Sequence, residues 1–174
     1  LIEIVRYEPY RSVNAGAGVG LATRSGGGFD GPATGWSLTS HLSFMPKGSR
    51  WGVRLDGLAT HMYEKAALVS DSATTESLGM VGGSASLLVR LRALPSVQWQ
   101  ARAGVGLYAG YRTRANIGPG GDYSNRELSS GFVVGLTGRT SLRLVAATFD
   151  ILYLHMTHDI SPDFLVISIG LSTH

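Results

Sequence analysis

Residues 96–112 read SVQWQARAGVGLYAGYR, and their side chains sort by parity without a break. Odd positions give Val97, Trp99, Ala101, Ala103, Val105, Leu107, Ala109 and Tyr111; even positions give Gln98, Gln100, Arg102, Gly104, Gly106, Tyr108, Gly110 and Arg112. A period of two is that of a β-strand, so one face of this strand is apolar and the other polar or glycine. The stretch is far longer than the usual strand of about five or six residues. Trp99 and Tyr111 close the two ends of the apolar face. At ~3.3 Å per residue and a tilt near 40°, they lie roughly 30 Å apart along the normal of a bilayer. The pattern predicts a membrane-crossing strand, with lipid on the odd side and a packed lumen on the even side.

Composition agrees with crossing by strands. The 174 residues suit one domain, 44% are hydrophobic, and mean hydropathy is only +0.11. No run of eighteen apolar residues occurs, which excludes a transmembrane helix. A closed barrel is the other solution, because it pairs every backbone group between strands while needing only alternate residues to be apolar. The 24 glycines suit tight curvature and a crowded lumen. Cysteine is absent, which removes disulfides and thiolate metal sites. Leu1 opens the chain without a basic and then apolar leader, so any secretory signal is expected to have been removed. The net charge of +3 does not point to nucleic acid, because the basic residues are spread singly along strands.

The same alternation recurs along the chain. Residues 1–11 are expected to form an N-terminal periplasmic arm, and residues 12–174 the barrel. Val13, Ala15, Ala17, Val19 and Leu21 face outward in the first strand; its GAGVG string lacks the Lys-Ser/Thr and following helix of a phosphate loop. Outward sets follow in Trp36, Leu38, Leu42 and Phe44, then in Trp51, Val53, Leu55, Ala59 and Tyr63. Val81, Ala85, Leu87, Val89 and Leu91 form the fourth; Phe132, Val134, Leu136 and Leu142 the sixth; Phe149, Ile151 and Tyr153 the seventh; Leu165, Ile167, Ile169 and Leu171 the last. Loops are expected over residues 24–34, 64–76, 112–128 and 157–163, with short turns at 46–49, 93–95 and 145–148. Long connections therefore alternate with short ones. About eight strands result, an even number that puts both termini on the periplasmic side.

The chain resembles the small bacterial outer-membrane β-barrels of the OmpA/OmpX type over essentially its whole length. The resemblance rests on the repeated alternation, on the aromatic pairs Trp36 with Phe44, Trp51 with Tyr63 and Trp99 with Tyr111, and on the closing VISIGLSTH. It implies an all-β, eight-stranded antiparallel up-and-down transmembrane barrel in a Gram-negative outer membrane. Such barrels usually end in an aromatic residue, whereas this chain ends in Thr173 and His174.

The expected lumen holds Arg54, Asp56, Arg90, Arg92, Arg102, Arg139, Arg143 and Asp150, with Gln98, Gln100 and Tyr108. The interior of so narrow a barrel has room for side chains only, so these charges are expected to form a structural network; an anion-conducting pore is the alternative. Trp36, Phe44, Trp51, Tyr63, Trp99, Tyr111, Phe132 and Phe149 are expected at the membrane interfaces. His41 is expected in the lumen and His61 at the outer interface, neither with companions at metal-ligand spacing, so no metal or cofactor is expected. His155 and Thr157 share outward parity and are similar to the His-x-Ser element of lipid A deacylase barrels, which implies a lipid acyl hydrolase as an alternative. The last strand offers only Ile and Ser where that family has an orienting Glu. A soluble lipocalin-like barrel, apolar inside, is a further class. The preferred reading is a non-enzymatic barrel of structural, anchoring or interaction role. Its partners are outer-membrane lipid and lipopolysaccharide, with protein partners at the loops 26–32, 66–75 and 116–125 or at the N-terminal arm.

Overall fold

In the computed structural model, the alternating stretches pair into one closed wall. The structure describes residues 13–25, 34–64, 68–69, 72–91, 97–116, 123–142, 145–157 and 163–173. The strands are β1 (Val13–Ser25), β2 (Thr34–Phe44), β3 (Trp51–Glu64), β4 (Leu68–Val69), β5 (Ser72–Arg90), β6 (Gln98–Asn116), β7 (Tyr123–Ser141), β8 (Ala146–Met156) and β9 (Asp163–Ser172). Neighbours run antiparallel in the order β3-β2-β1-β9-β8-β7-β6-β5, and β3 pairs with β5 to close the cylinder. Eight strands make the wall; β4 only pairs with the start of β5. The N-terminal arm, residues 1–11, lies outside the described residues.

Inside and outside follow the parity read from the sequence. Val105, Leu107 and Ile169 are 59%, 60% and 64% exposed, while Arg54 and Arg102 are 3% and 5% exposed. Exposed apolar side chains continue around the wall through Leu21, Leu38, Leu55, Leu87 and Val134. A contiguous apolar belt of this kind is not tolerated in water and is the lipid-facing band of a membrane barrel. The lipocalin-like arrangement, with apolar side chains inward and polar ones outward, is therefore excluded.

The turn after β2 shows how local sequence sets the register. Ser49 donates its backbone N–H to the Pro46 carbonyl at 3.0 Å, and Gly48 lies between them at φ +78°. That left-handed conformation is the third position of a type II turn, where glycine carries no steric cost. The Ser49 hydroxyl then accepts the Trp51 N–H at 3.0 Å and starts β3 with Trp51 outward.

Several boundaries differ from the sequence expectation. The loop expected over 64–76 contains β4 and the first residues of β5; that over 112–128 contains the end of β6 and the start of β7. Hence β5, β6 and β7 each run 19 residues, against 11 in β8 and 10 in β9. The turn placed at 145–148 is shorter, since β8 begins at Ala146, and Asp163 opens β9 rather than ending a loop. Arg24 belongs to β1. Residues 26–33 lie outside the described residues.

The lumen also differs: it is layered, not uniformly polar. Toward the long-loop end it holds an apolar cluster that includes Met62, Leu78, Met80, Tyr108, Leu154 and Phe164. Tyr108 fits because its neighbours are glycines: a Cβ on Gly106 would lie 2.5 Å from the Tyr108 ring. Lipid contact yields a direct test. Val105→Arg, in mid-belt, should lower the free energy of folding into vesicles by about 2–4 kcal/mol in a urea titration, whereas a water-facing site would show almost no change.

Candidate functional site

Below the apolar cluster, three strands bring charges together. Arg54 and Asp56 stand two apart on the inner face of β3, opposite Arg102 of β6 and Asp150 of β8. Arg54 Nε donates to Asp56 Oδ1 at 2.7 Å, and its Nη2 lies 3.2 Å from Asp150 Oδ1. Arg102 Nη1 reaches Asp56 Oδ1 at 2.5 Å and its Nη2 lies 3.6 Å from Asp150. Thr137 of β7 accepts from Arg54 Nη1 at 3.2 Å and donates to Asp150 at 2.5 Å. Two guanidinium groups and two carboxylates balance, as buried charges must. His41 is in register with Asp56 on β2 and packs against the bare backbone of Gly16.

The other expected lumen charges are elsewhere. Arg90 donates to Met45 Sδ at 3.0 Å, and Arg139 donates to the Thr173 carbonyl, both at the turn end. Gln98 is buried and inward near the same end. Arg92 and Arg143 lie outside the described residues. Of the six expected members among the described residues, Arg54, Asp56, Arg102 and Asp150 meet.

At the loop-side rim, His61 is the centre of an aromatic cluster. Its ring lies 5.9 Å from Trp36, 4.6 Å from Tyr63 in an edge contact, and 6.3 Å from Tyr111. His61 Nδ1 and the Tyr111 hydroxyl are 3.1 Å apart. Tyr111 reaches across its cross-strand partner Gly79, where a Cβ would fall 1.9 Å from the ring. Phe44, Trp51, Phe132 and Phe149 are exposed on the outer wall, and Trp99 is half-buried over Gly138.

A second outward cluster lies where β8 ends and β9 begins, beside Ser130 within β7. His155 Nδ1 is 2.9 Å from Asp163 Oδ1, and the Tyr153 hydroxyl donates to the same oxygen at 2.5 Å. The Thr157 and Ser130 hydroxyls are 2.9 Å apart, and Thr157 also donates to the Ser130 carbonyl at 2.8 Å. The expectation that His155 lacks an acid is corrected: antiparallel pairing puts Asp163 opposite it. Ser130 and Tyr153 were not foreseen as its companions. His155 is half exposed on the outer wall.

The lumen network has a stability consequence. Arg102→Met leaves Asp56 and Asp150 to share Arg54 and should cost about 3–5 kcal/mol, because a buried charge is left uncompensated. Arg102→Met with Asp56→Leu restores the balance and should recover most of that loss in urea titrations; additive losses would show that pairing is not its source.

No family model and no curated protein sequence matches the chain. Among solved structures it is similar to Neisserial surface protein A, with a TM-score of 0.61 and 17% identity over 95% of this chain and 99% of that one. It is similar to a major outer membrane protein of Thermus thermophilus, with a TM-score of 0.60 and 13% identity over 91% and 98%. It is also similar to the attachment invasion locus protein of Yersinia pestis in complex with the heparin analogue sucrose octasulfate, with a TM-score of 0.55 and 14% identity over 93% and 99%. At these identities the likeness is one of architecture: the chain has the fold of the small eight-stranded outer-membrane β-barrels.

Proposed function

We propose that the protein is a non-enzymatic barrel of the bacterial outer membrane, with periplasmic termini, a filled lumen and a recognition surface on the long-loop side. The observation that carries this reading is the unequal height of the wall. Pairing of β7 with β8 begins only at Gly131 and Met156. Residues 123–129 of β7 therefore stand beyond β8, and among the described residues no strand pairs with their outer edge. Together with β5 and β6 they form a blade of sheet rising roughly 20 Å above the short side at ~3.3 Å per residue. An unpaired edge offers backbone donors and acceptors to an incoming extended segment, and Leu128, 70% exposed, adds an apolar anchor. The fold neighbour from Yersinia, an attachment protein, has the same architecture and supports a role at the cell surface. Lipopolysaccharide and protein partners are the ligands this surface fits.

A filled lumen and a recognition blade make separate predictions. In planar bilayers the purified barrel should carry no stable current; a lasting anion-selective current would replace this reading with the channel. A photo-reactive residue at Ser124 or Leu128 should yield discrete protein adducts in the native outer membrane, while one at Ala103 should yield lipid adducts only. Identical adduct patterns at blade and belt would defeat recognition by the blade.

Acyl-ester hydrolysis is a second reading, favoured by the pairing of His155 with Asp163. An acid that orients a histidine beside hydroxyl side chains at the lipid face is the arrangement that activates a nucleophile. Thr157 or Ser130 would attack the ester carbonyl while His155 takes its proton and passes it to the departing alcohol, Asp163 would hold the ring, and water would then hydrolyse the acyl-enzyme to release the fatty acid. On the preferred reading, fatty-acid release from phospholipid or lipid A is no greater for the wild type than for His155→Ala. Release that falls by about a thousandfold or more in His155→Ala and in Asp163→Asn would establish the enzyme.

A further inference from the structure

One row of outward side chains crosses the wall just above the apolar belt. Trp36 of β2, His61 of β3, Gly79 of β5, Tyr111 of β6 and Arg126 of β7 are successive cross-strand partners. The row beneath it is Leu38, Ala59, Val81, Ala109 and Leu128, hydrocarbon throughout. The row above it is Thr34, Tyr63, Ser77, Thr113 and Ser124, four hydroxyls and a phenol. The middle row therefore stands where an amphiphile changes from chain to headgroup.

A glycine in the middle of this row joins its rings into a shelf. With no side chain at Gly79, Tyr111 lies over the bare backbone there, and its hydroxyl comes within 3.1 Å of His61 Nδ1. The Tyr111 and His61 rings are inclined at 26°, and those of His61 and Trp36 at 39°, so the three form one shallow run. Tyr63 meets His61 edge-on at 86° and marks the upper margin. Trp36, Tyr63 and Tyr111 are exposed, as is Arg126 at the end of the row. Glu127, next in sequence to Arg126, has the opposite parity and lines the lumen with Met80 and Phe164.

We propose that this shelf seats the phosphorylated sugar headgroup of a membrane glycolipid. A sugar ring has a flat face of C–H groups, which packs on the electron-rich faces of aromatic rings. Its hydroxyls meet those of Thr34, Ser77, Thr113 and Ser124. A phosphate on the sugar takes the Arg126 guanidinium, whose planar fork matches phosphate oxygens. The acyl chains descend over Leu38, Val81 and Leu128, all exposed. A glycerophospholipid would use Arg126 but give the ring faces and the hydroxyl row no matching partner. A soluble sugar phosphate would make no use of the apolar row. The inference rests on the membrane reading of the wall and is independent of the unpaired edge of the blade.

Trp36 belongs to the shelf and reports on it. The Trp51→Phe/Trp99→Phe variant keeps Trp36 alone and is reconstituted in nanodiscs of phosphatidylcholine brominated high on its acyl chains, which should quench it. Three lipids then compete for the shelf. Lipid A carries sugar and phosphate, a glucosyl diacylglycerol carries sugar without phosphate, and phosphatidylglycerol carries phosphate without sugar. Lipid A should relieve the quenching at a mole fraction about tenfold or more below that of either other lipid. Arg126→Ser should bring lipid A to the level of the glucosyl lipid. Tyr111→Ser should bring it to the level of phosphatidylglycerol, while Tyr111→Phe, which keeps the ring, should leave the preference intact. Lipid A matching either other lipid in the unaltered shelf would overturn the proposal, as would a preference that survives Arg126→Ser and Tyr111→Ser together. Absence of quenching by brominated phosphatidylcholine would overturn the membrane reading along with it. Each variant is compared once circular dichroism shows the β-sheet spectrum of its parent.

Discussion

The pairing of β3 with β5 is the contact on which the rest of the molecule depends. Hydrocarbon offers no partner to a backbone N–H or C=O, so a sheet crossing a bilayer cannot keep an edge. The first and last members of the strand order must meet, and they do so along a ladder from Trp51 opposite Val89 to Glu64 opposite Glu76. Opening that ladder would expose two rows of unpaired polar groups to lipid. Closure also divides every strand into an inner and an outer face, which turns a period of two in the sequence into two solvents in space.

Closing only eight strands leaves an interior of about the width that side chains fill. The chain fills it in two ways. Near the loop end Met62, Met80, Tyr108, Leu154 and Phe164 pack as an ordinary apolar core. In mid-barrel, Arg54, Asp56, Arg102 and Asp150 bridge β3, β6 and β8, with Thr137 tying in β7. Apolar packing has little directional preference, while an Arg–Asp lattice accepts few geometries. The lattice therefore penalises a one-residue slip between strands more sharply than the apolar layer does.

Legibility in the sequence followed the environment of each face. Where one face meets lipid and the other the lumen, as from Trp99 to Tyr111, the two halves of the alternation differ in kind and the strand is plain. Residues 72–77 and 123–128 rise beyond the belt, where polar residues occupy both parities of the sequence, so SATTES and YSNREL look like loops although they are paired. The apolar lumen layer was hidden for the opposite reason: Leu152, Leu154 and Met156 alternate with Ile151, Tyr153 and His155, and apolar residues on both faces blur the parity. Asp163 could not be matched to His155 from spacing alone, because their proximity depends on the register of β8 with β9.

The difference in strand length explains why the unusual outward groups gather where they do. On the short side, β8 and β9 end close to the belt, so His155, Asp163, Tyr153, Thr157 and Ser130 emerge where the wall leaves the hydrocarbon. Each polar side chain in that cluster has a partner within the cluster, which lowers the cost of standing next to lipid. On the tall side, Tyr111 and His61 cap the belt and β5 to β7 continue above it. Above the belt the blade is held by the ladder hydrogen bonds of β5 with β6 and of β6 with β7, anchored in the barrel below. Its lower part cannot fray without opening a closed wall, and that rigid root is what lets an otherwise weak sheet keep one shape at the surface.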